Sequence, residues 1–251
     1  MQISTAASAF RARMADRSNF PETCDGGDCG SPSQRSIWLL GLEPGWSVQD
    51  QIEDQAGTER SDEEFANYSV ELQQTMPFNR NAFKLLAALK GHPPEDYREF
   101  ACRYRPFERG SGGYFKGNLF PVPCNNLGEW GDQDRRATGF DDKAAYQQWM
   151  RATRFPIVAS WIAECLPRLI ICTGLTHVAD YLAVTATPCA PPAHLFQVNG
   201  HTKRVHVGSS GLVPVALIPH LSGGPNGLNS VEAIAGAAAY IRRTLTDVDF
   251  G

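Results

Sequence analysis

The sequence lacks any uninterrupted apolar run of about 18 residues, the length a helix needs to cross a bilayer. Its first residues hold no basic segment leading into an apolar one, so they do not read as a secretory leader. A soluble, cytoplasmic protein without a membrane partner is therefore expected. A disulfide framework is missing too: seven cysteines, an odd number scattered from Cys24 to Cys189, suit reduced thiols. So is any basic excess. With 23 Lys and Arg against 27 Asp and Glu, the formal net charge is −4, and no global positive field draws the chain to a polyanion. No Gly-x-Ser-x-Gly elbow precedes a suitable helix, and glycine-rich residues 223–227 lack the Gly-Lys-Ser/Thr of a phosphate loop. Repeats and low-complexity tracts are absent as well. What is present, 42% hydrophobic residues in a chain of 251, suffices for one ordinary core.

Residues 2–17 predict a short amphipathic helix, and the Cys24-to-Pro32 stretch with its glycines breaks regular structure, so residues 1–35 read as a lead-in. Residues 36–251 read as a single domain. Ile37-Trp38-Leu39-Leu40, Arg168 to Thr173 and Val213 to Ile218 are apolar runs suited to strands buried on both faces. A weaker strand is placed over residues 118–123, where Pro121 and Pro123 forbid a regular ladder beyond the start. Helices are expected over 81–90, 95–104, 142–165 with a break or fresh turn at Pro156, 176–182 and 230–245. Residues 49–71, heavily acidic, read as a solvated loop or polar helix. Asn199-Gly200 between alternating flanks predicts a hairpin near 196–207, an antiparallel excursion. Strands separated by helices imply an α/β fold: a parallel sheet covered on both faces, hence three layers.

Two loops at strand ends hold chemistry, Gly41-Leu42-Glu43-Pro44-Gly45-Trp46 and His220-Leu221-Ser222-Gly223-Gly224-Pro225-Asn226-Gly227. In an open parallel sheet, loops leaving the carboxyl ends of strands converge on one crevice. Glu43, directly after an apolar strand, suits a general base in partial desolvation, or it caps a turn or pairs with an arginine. His220 suits a donor to an anion developing in a transition state, or it caps its own loop.

Gly41-Leu-Glu-Pro-Gly45, Asn118-Leu-Phe-Pro-Val-Pro-Cys-Asn125, Leu169-Ile-Ile-Cys-Thr-Gly174 and His220-Leu-Ser222, in that order at strand ends, resemble the uracil-DNA glycosylase superfamily over about residues 36–245. The resemblance implies an α/β/α sandwich around a four-stranded, mainly parallel sheet. It also implies metal-free hydrolysis of the N-glycosidic bond of uracil or a related base flipped out of DNA. Glu43 falls where the family usually has an Asp or Asn that positions water. His220 falls where the family's histidine stabilises the leaving base, and Leu221 replaces the usual proline. Asn118 resembles the residue that reads the base edge, with Asn125 and Asn126 as rivals. Gly45 stands where a bulky tyrosine often blocks the 5-methyl of thymine.

Gly41, Leu42, Pro44, Ser222 and Gly223 would complete the substrate site. Trp46 or Phe78 would stack on an extruded base, unless they are core residues. The expected partner is DNA, single-stranded or mispaired, because extrusion is cheapest there, and the expected state is a monomer. Leu221 and Leu228 are candidate wedges, with Leu228 equally placed to be a first core contact of the last helix. Arg135, Arg136, Arg151, Arg154, Lys203 and Arg204 are candidate phosphate contacts, the pairs at 135 and 203 forming a basic rim, or else they are a solvated face. Some branches hold a four-cysteine iron–sulfur cluster, but Cys24, Cys29 and Cys124 do not reproduce its spacing, so no cofactor or metal is expected. A second reading is a non-catalytic nucleobase- or nucleic-acid-binding protein on the same scaffold.

Overall fold

The computed structural model describes residues 4–45, 68–123 and 130–250. Trp46, Cys124, Asn125, Asn126 and most of the acidic 49–71 stretch lie outside the described residues. In chain order the elements are α1 (Thr5–Ala15), β1 (Gly26–Gly27), β2 (Gly30–Ser31), β3 (Gln34–Arg35), β4 (Ile37–Gly41), α2 (Val70–Gln73), α3 (Pro77–Lys90), α4 (Tyr97–Tyr104) and β5 (Tyr114–Asn118). They continue with α5 (Asp132–Thr138), α6 (Lys143–Cys165), β6 (Leu169–Thr173), α7 (Val178–Val184), β7 (Ala193–Val198), β8 (His201–Gly208), β9 (Val215–Ile218) and α8 (Val231–Thr244). No described helix is long and apolar enough to cross a membrane.

The central sheet is mixed, with seven strands in the order β1-β5-β4-β6-β9-β8-β7. Its middle four, β5, β4, β6 and β9, are mutually parallel, while β1, β8 and β7 are antiparallel additions. Every residue of those four parallel strands is buried, as a strand covered on both faces requires. Alternation then sorts their side chains. Ile37 and Leu39 join Leu85, Phe100 and Ile241 from α3, α4 and α8 on one face. Trp38 and Leu40 join Met150, Ile162, Tyr181 and Val184 from α6 and α7 on the other.

Four expectations change. The sheet has seven strands where four were expected, because the two hairpin strands and β1 are part of it: β8 pairs with β9 in register His206↔Leu217, which buries Val205 and Val207. The Asn199-Gly200 turn itself forms as expected, both residues at positive φ. The strand placed at 118–123 lies at Tyr114–Asn118, so Asn118 ends it and the prolines follow it. Lys116, a buried lysine inside the strand, masked it from any hydropathy pattern.

Pro156 does not break α6, which runs from Lys143 to Cys165. The loss of one N–H is outweighed by packing of Tyr146, Met150, Phe155, Val158 and Ile162 along the same helix. Finally, the lead-in is built into the sheet. Gly26–Gly27 pairs with β5, Phe20 packs on Trp38 and Phe115, and buried Arg154 donates to the Thr23 hydroxyl at 2.7 Å.

Candidate functional site at the carboxyl ends of the parallel strands

Parallel pairing sends β5, β4, β6 and β9 out of the sheet at the same edge, which fixes where the singled-out residues emerge. Asn118 is the last residue of β5, Glu43 lies two past the end of β4, and His220 two past the end of β9. At about 4.8 Å per strand, β5 and β9 are separated by roughly 14 Å, so long side chains must bridge them.

Asn118, Phe78 and His220 lie on the α3 face. The Phe78 ring, from the first turn of α3, sits 5.1 Å from the His220 ring, and Lys116 Nζ lies 5.2 Å from its centroid. Lys116 ion-pairs with Asp25 at 2.9 Å and donates to Tyr68 Oη at 2.7 Å and Asn79 Oδ1 at 3.0 Å. Burial opposes the Lys116 charge, but Asp25 and the Tyr68 hydroxyl outweigh it and hold the ammonium above its usual value. The same burial pushes the Tyr68 phenol up, partly countered by Lys116. Asn118 Nδ2 donates to both Asp25 oxygens, each at 3.3 Å. A methyl group on Gly41 would collide with Asn118 Oδ1, so only glycine lets the amide lie across the end of β4. Gly45, by contrast, is exposed, and a methyl there meets nothing within 4 Å.

Glu43 turns toward the α6 face. Its Oε2 takes a 2.9 Å salt bridge from Lys143, the first residue of α6, with 6% and 8% of the two side chains exposed. Its Oε1 is buried and has no hydrogen-bond partner among the described residues. Of the two local alternatives for this residue, pairing is the one realised, with a lysine in place of an arginine. No hydrogen bond, ion pair or ring contact among the described residues joins Glu43 to Asn118 or His220. Beside it, Arg151 grips Asp180 through two bonds of 2.7 and 2.9 Å, and His177 Nδ1 stands 3.2 Å from the same carboxylate. Burial pushes the neighbouring Tyr181 phenol well above its usual value, the Asp180 and Glu43 charges adding to it.

The His220 loop is held from within and from below. Ser222 surrounds His220 Nδ1 with its backbone N at 3.3 Å, hydroxyl at 3.0 Å and carbonyl at 3.2 Å. Nε2 makes no hydrogen bond to a described residue. Leu228 N donates to His220 O at 2.8 Å and closes the loop, whose tight path uses Gly223 and Gly224 at φ near +67° and +66°. Lys203 is 3% exposed, and its Nζ donates to Pro225 O at 2.5 Å and Gly227 O at 2.7 Å.

This placement differs from the sequence reading at several residues. Lys203 supports the loop from beneath and is not on a basic rim, and Arg154 is likewise interior. Leu221 is fully buried in the α3-side core and does not project as a wedge, whereas Leu228, fully buried in the same core, takes the core alternative given for it. Arg135, Arg136 and Arg204 are exposed, Arg135 pairing with Asp132 at 2.7 Å. Arg151, a candidate phosphate contact in the sequence, is bonded to Asp180, and Lys143, Asp25, Lys116, Asp180 and His177 carry no sequence mark because no local motif links residues so far apart in the chain. The single usable signal was a charged residue at a position a strand or helix must bury. A cleft of about 890 Å³ lies at the opposite edge, lined by Arg35, Arg168, Ser209 and Asp249 among others. Among the described residues, no three His, Cys, Asp or Glu side chains gather as a metal-binding group. Compared with known proteins, the chain matches no family model and no curated protein.

Proposed function

We propose that the chain is a hydrolase of the uracil-DNA glycosylase type, cleaving the N-glycosidic bond of a uracil-like base extruded from DNA. The observation that carries this reading is the series Asn118, Asp25, Lys116, Phe78 and His220 at the edge where Glu43 also emerges. It supplies an amide for a base edge, an aromatic ring for a base face and an imidazole nitrogen for the departing anion. Stacking on Phe78 would offset part of the few kcal/mol needed to unstack the base. Glu43 Oε1 would orient water toward the sugar C1′ and offset the positive charge of an oxocarbenium-like transition state. The water oxygen bonds to C1′, the bonding pair leaves with the base, and the water proton passes to the carboxylate. In the tautomer in which Nδ1 accepts from Ser222 N–H, His220 carries its proton on Nε2 and would donate it as a hydrogen bond to the anion.

The test is release of free base from uracil-containing single-stranded, U:A, U:G and T:G oligonucleotides. Glu43→Gln and His220→Ala are each expected to slow release by about 100-fold or more. Full-rate release by both variants would reject these roles. The second reading, a non-catalytic base binder on this scaffold, is favoured by Lys143, which already occupies one oxygen of Glu43. Tight binding of uracil or DNA without any release of base would select it.

A further inference from the structure

Asn118 is a side-chain amide with two poles, an acceptor Oδ1 and a donor Nδ2, and a base edge is read differently according to which pole faces it. Here the donor faces Asp25, with both carboxylate oxygens at 3.3 Å. Asp25 is itself fixed, its backbone N donating to Lys116 O at 3.1 Å and its carboxylate ion-paired with Lys116 Nζ at 2.9 Å. Lys116 is held in turn by Tyr68 and Asn79. On the other side, Asn118 Oδ1 lies against Gly41 and takes no hydrogen bond from any described residue.

We infer that Asp25 is a specificity-determining positioning residue: it holds the Asn118 amide with Oδ1 as the pole available to a ligand. The ligand class that fits is a base with a lactam edge, a ring N–H beside a carbonyl, as in uracil, thymine or hypoxanthine. Cytosine, which carries a lone pair at the corresponding ring nitrogen, meets Oδ1 acceptor to acceptor and is refused. Rotating the amide to admit cytosine would turn Oδ1 toward the Asp25 carboxylate, where two acceptors repel. The inference rests on the base-reading role given to Asn118 above and assigns its control to a residue of the amino-terminal lead-in.

The test compares Asp25→Asn with Asp25→Leu. Both remove the charge that faces Lys116, but only asparagine can still accept from Asn118 Nδ2. Should the unpaired lysine prevent either from folding, both are remade with Lys116→Met, and Lys116→Met alone becomes the reference. Binding of free uracil and free cytosine is measured by titration, with the Asn118 side-chain amide followed by NMR. The expected result is a uracil-over-cytosine preference retained with asparagine at position 25 and reduced at least 10-fold with leucine. The Asn118 amide protons are expected to shift and exchange faster in the leucine variant alone. An unchanged preference with leucine, or equal loss in both variants, would overturn the inference. Since the amide signals report the Asp25 contact without catalysis, absence of base release from DNA would count against the glycosylase reading and leave this test standing. Unperturbed amide protons in the leucine variant would overturn the proposed control by Asp25 whatever the enzyme does.

Discussion

The two sides of the strand edge treat their functional groups in opposite ways. On the α6 side, Glu43 is held by one salt bridge, from buried Lys143, and its other oxygen has no partner among the described residues. On the α3 side, Asn118 is one member of an extended network in which Asp25, Lys116, Tyr68 and Asn79 satisfy one another. The difference lies in what the contacts do. Removing the one cation beside Glu43 leaves a buried charge uncompensated, whereas in the network each member is oriented by several neighbours at once. A water-orienting group is well served by the first arrangement and a base-reading group by the second, since reading demands a fixed orientation more than a free charge.

The largest way to break this contrast is Lys143→Met, which leaves the Glu43 carboxylate buried without its cation. A loss of about 3–5 kcal/mol is expected in urea denaturation, and adding Glu43→Leu should restore most of it. If the single variant proves as stable as the parent, Lys143 is not what compensates the buried Glu43 charge. Next comes Lys203→Met, which removes the ammonium beneath the His220 loop. A loss of about 1.5–3 kcal/mol is expected, with faster hydrogen exchange at the Leu228 amide that closes the loop. Slow exchange retained at Leu228 would show that the loop does not depend on that lysine. Gly41→Ala should cost about 1–3 kcal/mol through overpacking and displace the Asn118 amide, read as a shift of its side-chain NMR signals.

The smallest effect concerns the thiols. Burial pushes Cys24 up to about 11 and raises Cys172 further. The folded state thus holds the Cys24 proton more tightly than the unfolded chain. Its contribution to stability is complete below about pH 9 and declines as pH rises through 11. At pH 8, iodoacetamide should therefore label exposed Cys102 and Cys189 and spare Cys24 and Cys172 until the protein unfolds. Rapid native-state labelling of Cys24 would contradict its place against Arg154 and Gly117.

Legibility in the sequence followed burial. β4, β6 and β9 could be located because both faces are buried and every residue is apolar or small, and α8 because Ser230 caps it and Arg242 and Arg243 close it. β5 was misplaced by four residues, since a strand carrying Lys116 and Gly117 looks polar until Asp25 is brought alongside. The hairpin turn was readable from Asn199-Gly200, but its membership of the sheet was not, because pairing of β8 with β9 is a tertiary fact. At the site, Glu43, Asn118 and His220 were legible as polar residues at strand ends. Their partners were not, as Lys143 is 100 positions from Glu43 and Asp25 is 93 from Asn118.

The most direct measurement is a crystal structure of the protein soaked with uracil. The base is expected at the carboxyl ends of β4 and β5, its face on Phe78, its ring N–H donating to Asn118 Oδ1, and His220 Nε2 within hydrogen-bond distance of a carbonyl oxygen. Uracil seated instead in the cleft beside Arg35 and Arg168, with the strand-end groups untouched, would contradict the assignment of the site.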